Sequence, residues 1–239
     1  MPGLGTIVNV IAIVIGGVIG VCGGKLLNSK LTRMLTIACG AYVIYLGLSG
    51  VIEGALSTSE GQTVARNLIV ISASMLGGTV IGSAADIDGR INQFGIWLRD
   101  KTGNESDRQF VEAFVSASLT VCVGAMAIIG SIEDGIAGDQ SILFTKAMLD
   151  FIIILAMSAS MGKGCAFSAL PVGLLQGSVT LLAFFLAPLA TAIALANISM
   201  VGAIPIGCVG INLVFNTRIK VANMLPAIVI APALAFLPL

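Results

Sequence analysis

Two opposite charges lie inside a long apolar stretch of the chain. Lys146 and Asp150 belong to the run KAMLDFIIILAMSASMGKG, whose only other charge is Lys163. Residues four positions apart share one face of an α-helix, so the two side chains can meet. A carboxylate inside a membrane helix is costly and usually faces a bundle interior or a water-filled cavity. Asp150 is therefore predicted to coordinate a cation or a proton, the alternative being a structural pair with Lys146 near the outer interface.

The same run ends in residues that disfavour a helix, namely Ser158, Ser160, Gly162 and Gly164. A helix that breaks near mid-membrane exposes carbonyl and hydroxyl oxygens, and many transporters bind ions in this way. This segment is predicted to line an ion pathway. The alternative is a tight crossing of helices at small residues.

Four further polar residues are candidates for the same pathway. Asn9 lies in the first apolar run, and Glu53 and Glu133 end two Gly-rich runs, GVIEG and GSIEDG. The two glutamates would form an acidic vestibule that concentrates cations, unless they are solvated loop acids. Asn212 begins a polar cluster that continues to Arg218 and Lys220. That cluster would bind an anionic group or simply anchor the helix end by snorkelling.

The composition is that of a membrane protein. Hydrophobic residues make up 57% of the 239 residues and charged residues only 10%, whereas about a quarter of a soluble domain is charged. The fold class is therefore predicted to be an all-α polytopic membrane protein, with residues 1–239 forming a single transmembrane helical domain in the lipid bilayer. Lys and Arg together number 12, as do Asp and Glu, so there is no basic surface for nucleic acid.

Apolar runs of about 20 residues each predict about eight transmembrane helices. They fall at about residues 6–24, 35–56, 67–85, 110–132 and 146–160, with two in 165–215 and the last in 221–239. Pro188 is the expected turn within the uncharged stretch 165–215, and counting that stretch differently would give seven spans. Gly202, Pro205, Gly207 and Gly210 predict a kink or interruption in the seventh span.

Glycine-rich faces predict close helix packing, for example at Gly16 and Gly77, and such faces would also suit a homo-oligomer. The segments VGAMAIIG, from Val123, and VGAIPIG, from Val201, resemble each other. They lie three spans apart, which favours an internal inverted repeat. The GG pairs at residues 16–17 and 77–78 favour a parallel offset instead.

No motif for catalysis or nucleotide binding is found. The chain has no histidine and lacks GxSxG, HExxH and phosphate-loop patterns. We therefore expect neither an enzyme nor a cofactor, and the sequence leaves any metal open. A membrane-embedded enzyme that uses Asp or Lys is the least favoured alternative.

Four segments together resemble one known family: GTIVNVIAIVIGGVIG, CVGAMAIIGSIEDGIAGD, KAMLDFIIILAMSASMGKG and INLVFNTRIKVANMLPA. They are similar to the YqgA-like bacterial integral membrane proteins, which contain domain of unknown function 554, and the resemblance covers essentially the whole chain. It implies a protein of the bacterial cytoplasmic (inner) membrane and, more loosely, a sodium channel or pump. It implies no site residues.

The leading hypothesis is a transporter or channel for a monovalent cation or small solute that is not driven by ATP. Its basis is the intramembrane Asp150 together with the Gly- and Pro-interrupted spans. The alternative is a structural or regulatory membrane protein whose glycine faces serve packing.

The distribution of basic residues yields a testable orientation. Placing the loop after the first span inside puts ten Lys and Arg residues inside and only Arg66 and Lys146 outside, as the positive-inside rule requires. Reporter tags fused to either terminus should therefore be found outside, and a tag in the loop 90–108 should be inside. A cytoplasmic C-terminus would contradict the eight-span topology.

Overall fold

The computed structural model describes residues 2–24, 26, 28–56, 63–107, 109–122 and 125–236, which are helical with no strand in these ranges. The longer helices are α1 (Leu4–Gly24), α2 (Ser29–Leu56), α3 (Thr63–Ala84), α4 (Ile87–Lys101), α5 (Phe110–Cys122), α6 (Ala125–Ile136), α7 (Ser141–Met161), α8 (Ala169–Leu181), α9 (Ala183–Leu186), α10 (Ala192–Phe215) and α11 (Pro226–Ala233). Four 3₁₀ segments connect or extend them: Lys163–Ser168, Ala187–Leu189, Val221–Met224 and Leu234–Phe236. The all-α prediction is confirmed.

The bundle has two chemically distinct ends. We call the end with Glu133, Asp134 and Asp139 the acidic end, and the end with Lys163, Arg218 and Lys220 the basic end. Residues near the C-terminal ends of α7 and α10 line one pocket at the basic end. The Lys163 ammonium also donates to the Asn104 side chain, at 3.2 Å. Loops that the sequence assigns to one side of the membrane therefore meet at one end of the bundle.

The first helix begins at the acidic end, and the last segment returns towards it. The Gly3 N–H donates to Asp134 at the acidic end, so α1 begins there. At the other terminus, the Asn197 amide donates to the Ala231 carbonyl oxygen, at 3.1 Å. Since Asn197 lies near the start of α10, the segment containing α11 returns towards the acidic end.

The helices that could span the membrane differ in length. Within the described residues, five helices are long and apolar enough to cross a membrane, and there are up to seven spans if each of two bent pairs counts as one. The pairs are α3 with α4, bent by 57°, and α5 with α6, bent by 62°. The last pass, Val221–Ala233, is shorter than a full span. By contrast, α10 is a continuous helix with Pro205 inside it, so this span is not interrupted, and the kink expected there stays a prediction.

Glycines allow α1 to pack very closely against α7. Gly16, Gly20 and Gly24 are spaced by four and form one stripe on α1. A Cβ built on Gly16 would lie 2.7 Å from the Phe151 carbonyl oxygen, and Cβ atoms on Gly20 and Gly24 would clash with the α7 backbone one and two turns further on. Only glycine permits this contact, in the manner of small-residue packing in membranes.

The same device joins two other pairs of helices. A Cβ on Gly47 of α2 would lie 2.7 Å from the Gly207 nitrogen of α10, and a Cβ on Gly78 of α3 would clash with the Ala227 backbone of α11. Gly77, which the sequence suggested, has only the tip of Ile230 nearby, at 3.8 Å. The close contact in α3 therefore belongs to the neighbouring glycine.

One apolar cluster receives side chains from most of the bundle, including Ile13 of α1, Val43 of α2, Ile154 of α7 and Val172 of α8. The assignment of residues 1–239 to a single domain stays a prediction, as does a homo-oligomer. The inverted repeat also stays a prediction, since residues 123 and 124 of its first segment lie outside the described residues.

Two glycines of α1 provide a matched test of this packing. Gly20→Ala should lower the melting temperature of the detergent-solubilised protein, because overpacking typically costs about 1–3 kcal/mol. Gly23→Ala should leave it unchanged or slightly higher, since nothing lies within 4 Å of a Cβ there and alanine favours a helix. Equal melting temperatures for the two variants would show that α1 does not pack tightly on α7.

Candidate ion-binding site

The site is built around a buried ion pair on α7. The Lys146 ammonium lies 2.6 Å from Asp150 Oδ2, and the two residues are only 7% and 3% exposed. The one-turn spacing of the pair follows from the helix itself. The predicted meeting of these charges is therefore present, and it takes place in the interior of the bundle.

The pair lies at mid-depth. Asp150 is the tenth of the 21 residues of Ser141–Met161, a helix that is about 31 Å long at about 1.5 Å per residue. A hydrocarbon core of about 30 Å would place it near the bilayer centre. Lys146 is one turn closer to the acidic end. This position differs from the outer interface, where the alternative of a structural pair would place the two charges.

A broken helix supplies the second partner of the ammonium. Lys146 Nζ donates to the Val121 carbonyl oxygen, at 2.8 Å. Val121 lies in the last turn of α5, whose final carbonyls have no partner within the helix and carry the negative end of its dipole. The next helix, α6, begins at Ala125 in a different direction. The bend beside the ion pair therefore lies between α5 and α6, and not at Ser158–Gly164, where the break was predicted.

Two buried amides extend the site from Asp150, one in contact with the carboxylate and the other in contact with the first amide. The Asn9 side chain donates from Nδ2 to Asp150 Oδ2, at 3.0 Å, and to Gln176 Oε1, at 3.3 Å. Both amide residues are fully buried. The site therefore joins α1, α5, α7 and α8, and one carboxylate oxygen accepts both an ammonium and an amide.

The ion pair also borders a cavity of about 240 Å³ between α2, α6, α7 and α10. Ser49, Thr120 and Ser199 contribute hydroxyl-bearing side chains to a lining that is otherwise mostly apolar. This cavity and the Asn9 amide lie on two sides of the same carboxylate. A small polar solute or ion in the cavity would meet Lys146 and Asp150 directly.

Two of the remaining candidates have positions that are explained by helix packing and by a turn. Ser158 is buried where α7 crosses α1, and a Cβ built on Gly20 would lie 2.8 Å from its Cβ. Gly162 has a φ of +94° and turns the chain from α7 into the segment Lys163–Ser168, a conformation that favours glycine. The Ser- and Gly-rich segment therefore ends a span with a turn and does not interrupt one.

Ser160 and Asn212 come together at the basic end, away from Asp150. Both line a small polar cavity of about 130 Å³ with Thr36 and Glu112. Ser160 Oγ donates to backbone carbonyls of its own helix. The Asn212 side chain donates to and accepts from the backbone of Ile219, at 3.0 Å and 2.9 Å. Asn212 thus fixes the turn after α10.

The predicted acidic vestibule is only partly visible. Glu133 is half-buried at the acidic end, and the side chain of Glu53 lies outside the described residues. The carboxylate buried at this end is instead that of Asp134, which is 0% exposed.

A larger cavity lies elsewhere and is apolar. It measures about 540 Å³ and lies between α4, α5, α8, α10 and α11. Ser118, Ser178 and Cys122 are the residues in its lining with a hydroxyl or a thiol. None of its lining residues is acidic or basic, so it offers no acid–base pair.

Sequence reasoning missed Gln176, Asp134 and the carbonyl of Val121. Gln176 had a visible signal, since it is the one amide in the uncharged stretch between Lys163 and Asn197. A buried amide in a membrane helix needs a partner. The contribution of Val121 had no signal, because every residue has a carbonyl group.

The fold and this site define a polytopic helical membrane protein with a buried charged centre. The chain belongs to a family described as protein of unknown function (DUF554), whose model matches residues 4–236. It is 26% identical over 232 residues to "Uncharacterized membrane protein YdfK" of Bacillus subtilis (strain 168), covering 97% of this chain and 95% of that protein. It is 24% identical over 236 residues to "Uncharacterized protein YqgA" of Escherichia coli (strain K12), covering 97% and 96%. No solved structure matches the chain.

The buried pair predicts a characteristic pattern of stabilities. Lys146→Met or Asp150→Asn alone should destabilise the protein by about 3–5 kcal/mol, because each leaves a buried charge unpaired. The double variant should recover much of this loss, since no charge remains. Thermal melting in detergent would measure the effect.

Arg99→Gln serves as the control, since it breaks a pair with Asp100 at 2.8 Å whose side chains are 25% and 44% exposed. It should cost less than about 1 kcal/mol. If the double variant melts at no higher temperature than the less stable single variant, unpaired charge is not the cause of the destabilisation.

Proposed function

We propose that this protein transports a monovalent cation across the bacterial cytoplasmic membrane without ATP, using Asp150 as the central binding residue. The observation that carries the proposal is the position of the Lys146 ammonium. It lies between a mid-depth carboxylate and a carbonyl at the C-terminal end of a broken helix. Half-helix C-termini of this kind coordinate cations in secondary transporters. A transported cation would displace the ammonium from this position.

The available ligands favour a single positive charge. Asp150, Thr120, Ser49 and Ser199 line the cavity with one carboxylate and three hydroxyls, and the Val121 carbonyl accepts from the Lys146 ammonium. Calcium typically takes six to eight oxygen ligands, several of them carboxylates. In the part of the chain that the structure describes, no three Asp, Glu, Cys or His side chains are grouped for a metal ion. A monovalent ion is neutralised by Asp150 alone.

The proposed orientation places the acidic end outside the cell. Arg218, Lys220 and Lys163 mark the basic end, and basic residues near span ends remain in the cytoplasm. Both termini then lie outside, since α1 starts at the acidic end and the last pass returns towards it. Glu133 at the outer mouth would raise the local concentration of cations.

A second candidate function is a structural or regulatory membrane protein. The direct ion pair favours it, because Lys146 already neutralises Asp150 without any ligand. The extensive glycine contacts of α1 and α2 also suit a rigid scaffold. Under this alternative the charges would serve folding alone.

Transport by reconstituted protein separates the two functions. Proteoliposomes containing the wild-type protein should take up radioactive sodium or rubidium. Alternatively, their interior should acidify when a gradient of sodium or rubidium is applied. The double variant Lys146→Met/Asp150→Asn should fold and yet show only the flux of protein-free liposomes, because the ion-binding carboxylate is gone.

Asp139→Asn is the matched control, because Asp139 is an exposed acid at the acidic end and Asn keeps the oxygen that accepts from Ser141. It should transport at the wild-type rate. Wild-type protein without flux of any monovalent cation or proton, or a double variant with full flux, would refute the transport proposal.

A further inference from the structure

Asp134 is a second buried carboxylate, and no basic residue pairs with it in the part of the chain that the structure describes. It is 0% exposed near the C-terminal end of α6. One oxygen accepts the Gly3 N–H, at 2.9 Å, and the other accepts the Gln140 amide, at 3.2 Å. The ion pairs among the described residues are Arg99–Asp100 and Lys146–Asp150, so neither involves Asp134. A buried carboxylate without an opposite charge is expensive, and a bound cation would compensate it.

Polar groups without partners lie between Asp134 and the ion pair. Of the eight buried side-chain nitrogen and oxygen atoms that lack a hydrogen-bond partner in the described part of the chain, five belong to α1, α6 and α8. They are Thr6 Oγ1, Asn9 Oδ1, Ser131 Oγ, Gln176 Nε2 and Thr180 Oγ1. Each belongs to a residue that is no more than 9% exposed. Such groups are normally satisfied in native proteins, so this concentration points to a ligand.

Helix geometry places these groups in sequence along one seam. On α1, Gly3 contacts Asp134, Thr6 follows one turn later, and Asn9 contacts Asp150. The six-residue separation of Gly3 and Asn9 corresponds to about 9 Å along the helix.

The neighbouring helices repeat this order. On α6, a Cβ built on Gly135 would lie 2.6 Å from the Thr180 carbonyl oxygen, so Thr180 of α8 is level with Asp134. Gln176 is one turn deeper on α8, beside Asn9, and Ser131 is one turn before Gly135 on α6. Three helices therefore present polar groups at the same two levels.

We propose that Asp134, together with the hydroxyls of Thr6, Ser131 and Thr180, forms a second binding site for a monovalent cation. From this site the ion reaches Asp150 through the amides of Asn9 and Gln176. The assignment rests on the proposed function. In that function, the second site would receive cations at the acidic end and pass them to Asp150. Three neutral hydroxyl oxygens and one carboxylate are ligands that suit a singly charged hard cation.

Equilibrium binding tests the second site independently of transport. Purified protein in detergent is titrated with radioactive sodium and, separately, radioactive rubidium. The wild-type protein should bind two cations, and Asp134→Asn should bind one. Lys146→Met/Asp150→Asn should also bind one, at Asp134, while the combined triple variant should bind none. Thr6→Val, which keeps the shape of the side chain and removes one ligand, should weaken one of the two sites.

Asp139→Asn is again the control. The hydroxyl of Ser141, followed by its backbone N–H, holds the pKa of Asp139 below the usual range. Asp139 is therefore ionised at neutral pH, and its variant removes a full negative charge at the acidic end. Two bound cations are expected in this variant.

The outcomes distinguish the two proposals. Asp134→Asn binding that matches the wild type in number and affinity, or wild-type protein that binds neither ion, would overturn the second site. Loss of one bound cation in Asp134→Asn, in a protein that shows no flux in liposomes, would support the site and refute transport. Loss of binding in Asp139→Asn as well would identify a diffuse electrostatic effect and also overturn the site.

Discussion

The structure depends on keeping two opposite charges at the centre of an apolar bundle. Lys146 and Asp150 lie halfway along α7. An unpaired charge there would cost roughly several kcal/mol, even after the surrounding protein relaxes. Their 2.6 Å contact removes the net charge but not the need for further hydrogen bonds. The carbonyl of Val121 and the amide of Asn9 meet that need from two other helices. The arrangement of α1 and α5 around α7 is thus tied to this one pair.

The glycine contacts explain how short polar side chains can reach the pair. Asn9 has only two rotatable side-chain bonds, so α1 must lie very close to α7 for its amide to contact Asp150. The stripe Gly16, Gly20 and Gly24 brings the two backbones together along the rest of the helix. Close van der Waals packing of this kind stabilises helix association in lipid. Packing and polar chemistry are therefore coupled: a change that separates the backbones also withdraws Asn9 from the carboxylate.

Sequence reasoning identified the helices and the central acid but not their neighbours. The length and apolar character of the runs were sufficient for α1, α2, α7 and α10, because a span in lipid must satisfy its own backbone hydrogen bonds. Asp150 was identifiable as a charge in an apolar helix. Its partner Asn9 was a candidate only as a polar residue in a span, since contact across 141 residues depends on helix rotation and packing. The break was placed at Ser158–Gly164 from helix propensity, whereas tertiary contacts put the discontinuity between α5 and α6.

The neutral pair at the centre also bears on how a cation would move under the proposed function. An incoming monovalent ion and the Lys146 ammonium are like charges, and at about 4 Å with an effective dielectric constant near 20 they repel by about 4 kcal/mol. The ion therefore cannot simply join the pair. The ammonium must first withdraw from Asp150, and this movement must be reversed before the next ion binds. Such a cycle would limit passage to one ion per rearrangement, as in a transporter and not as in an open channel.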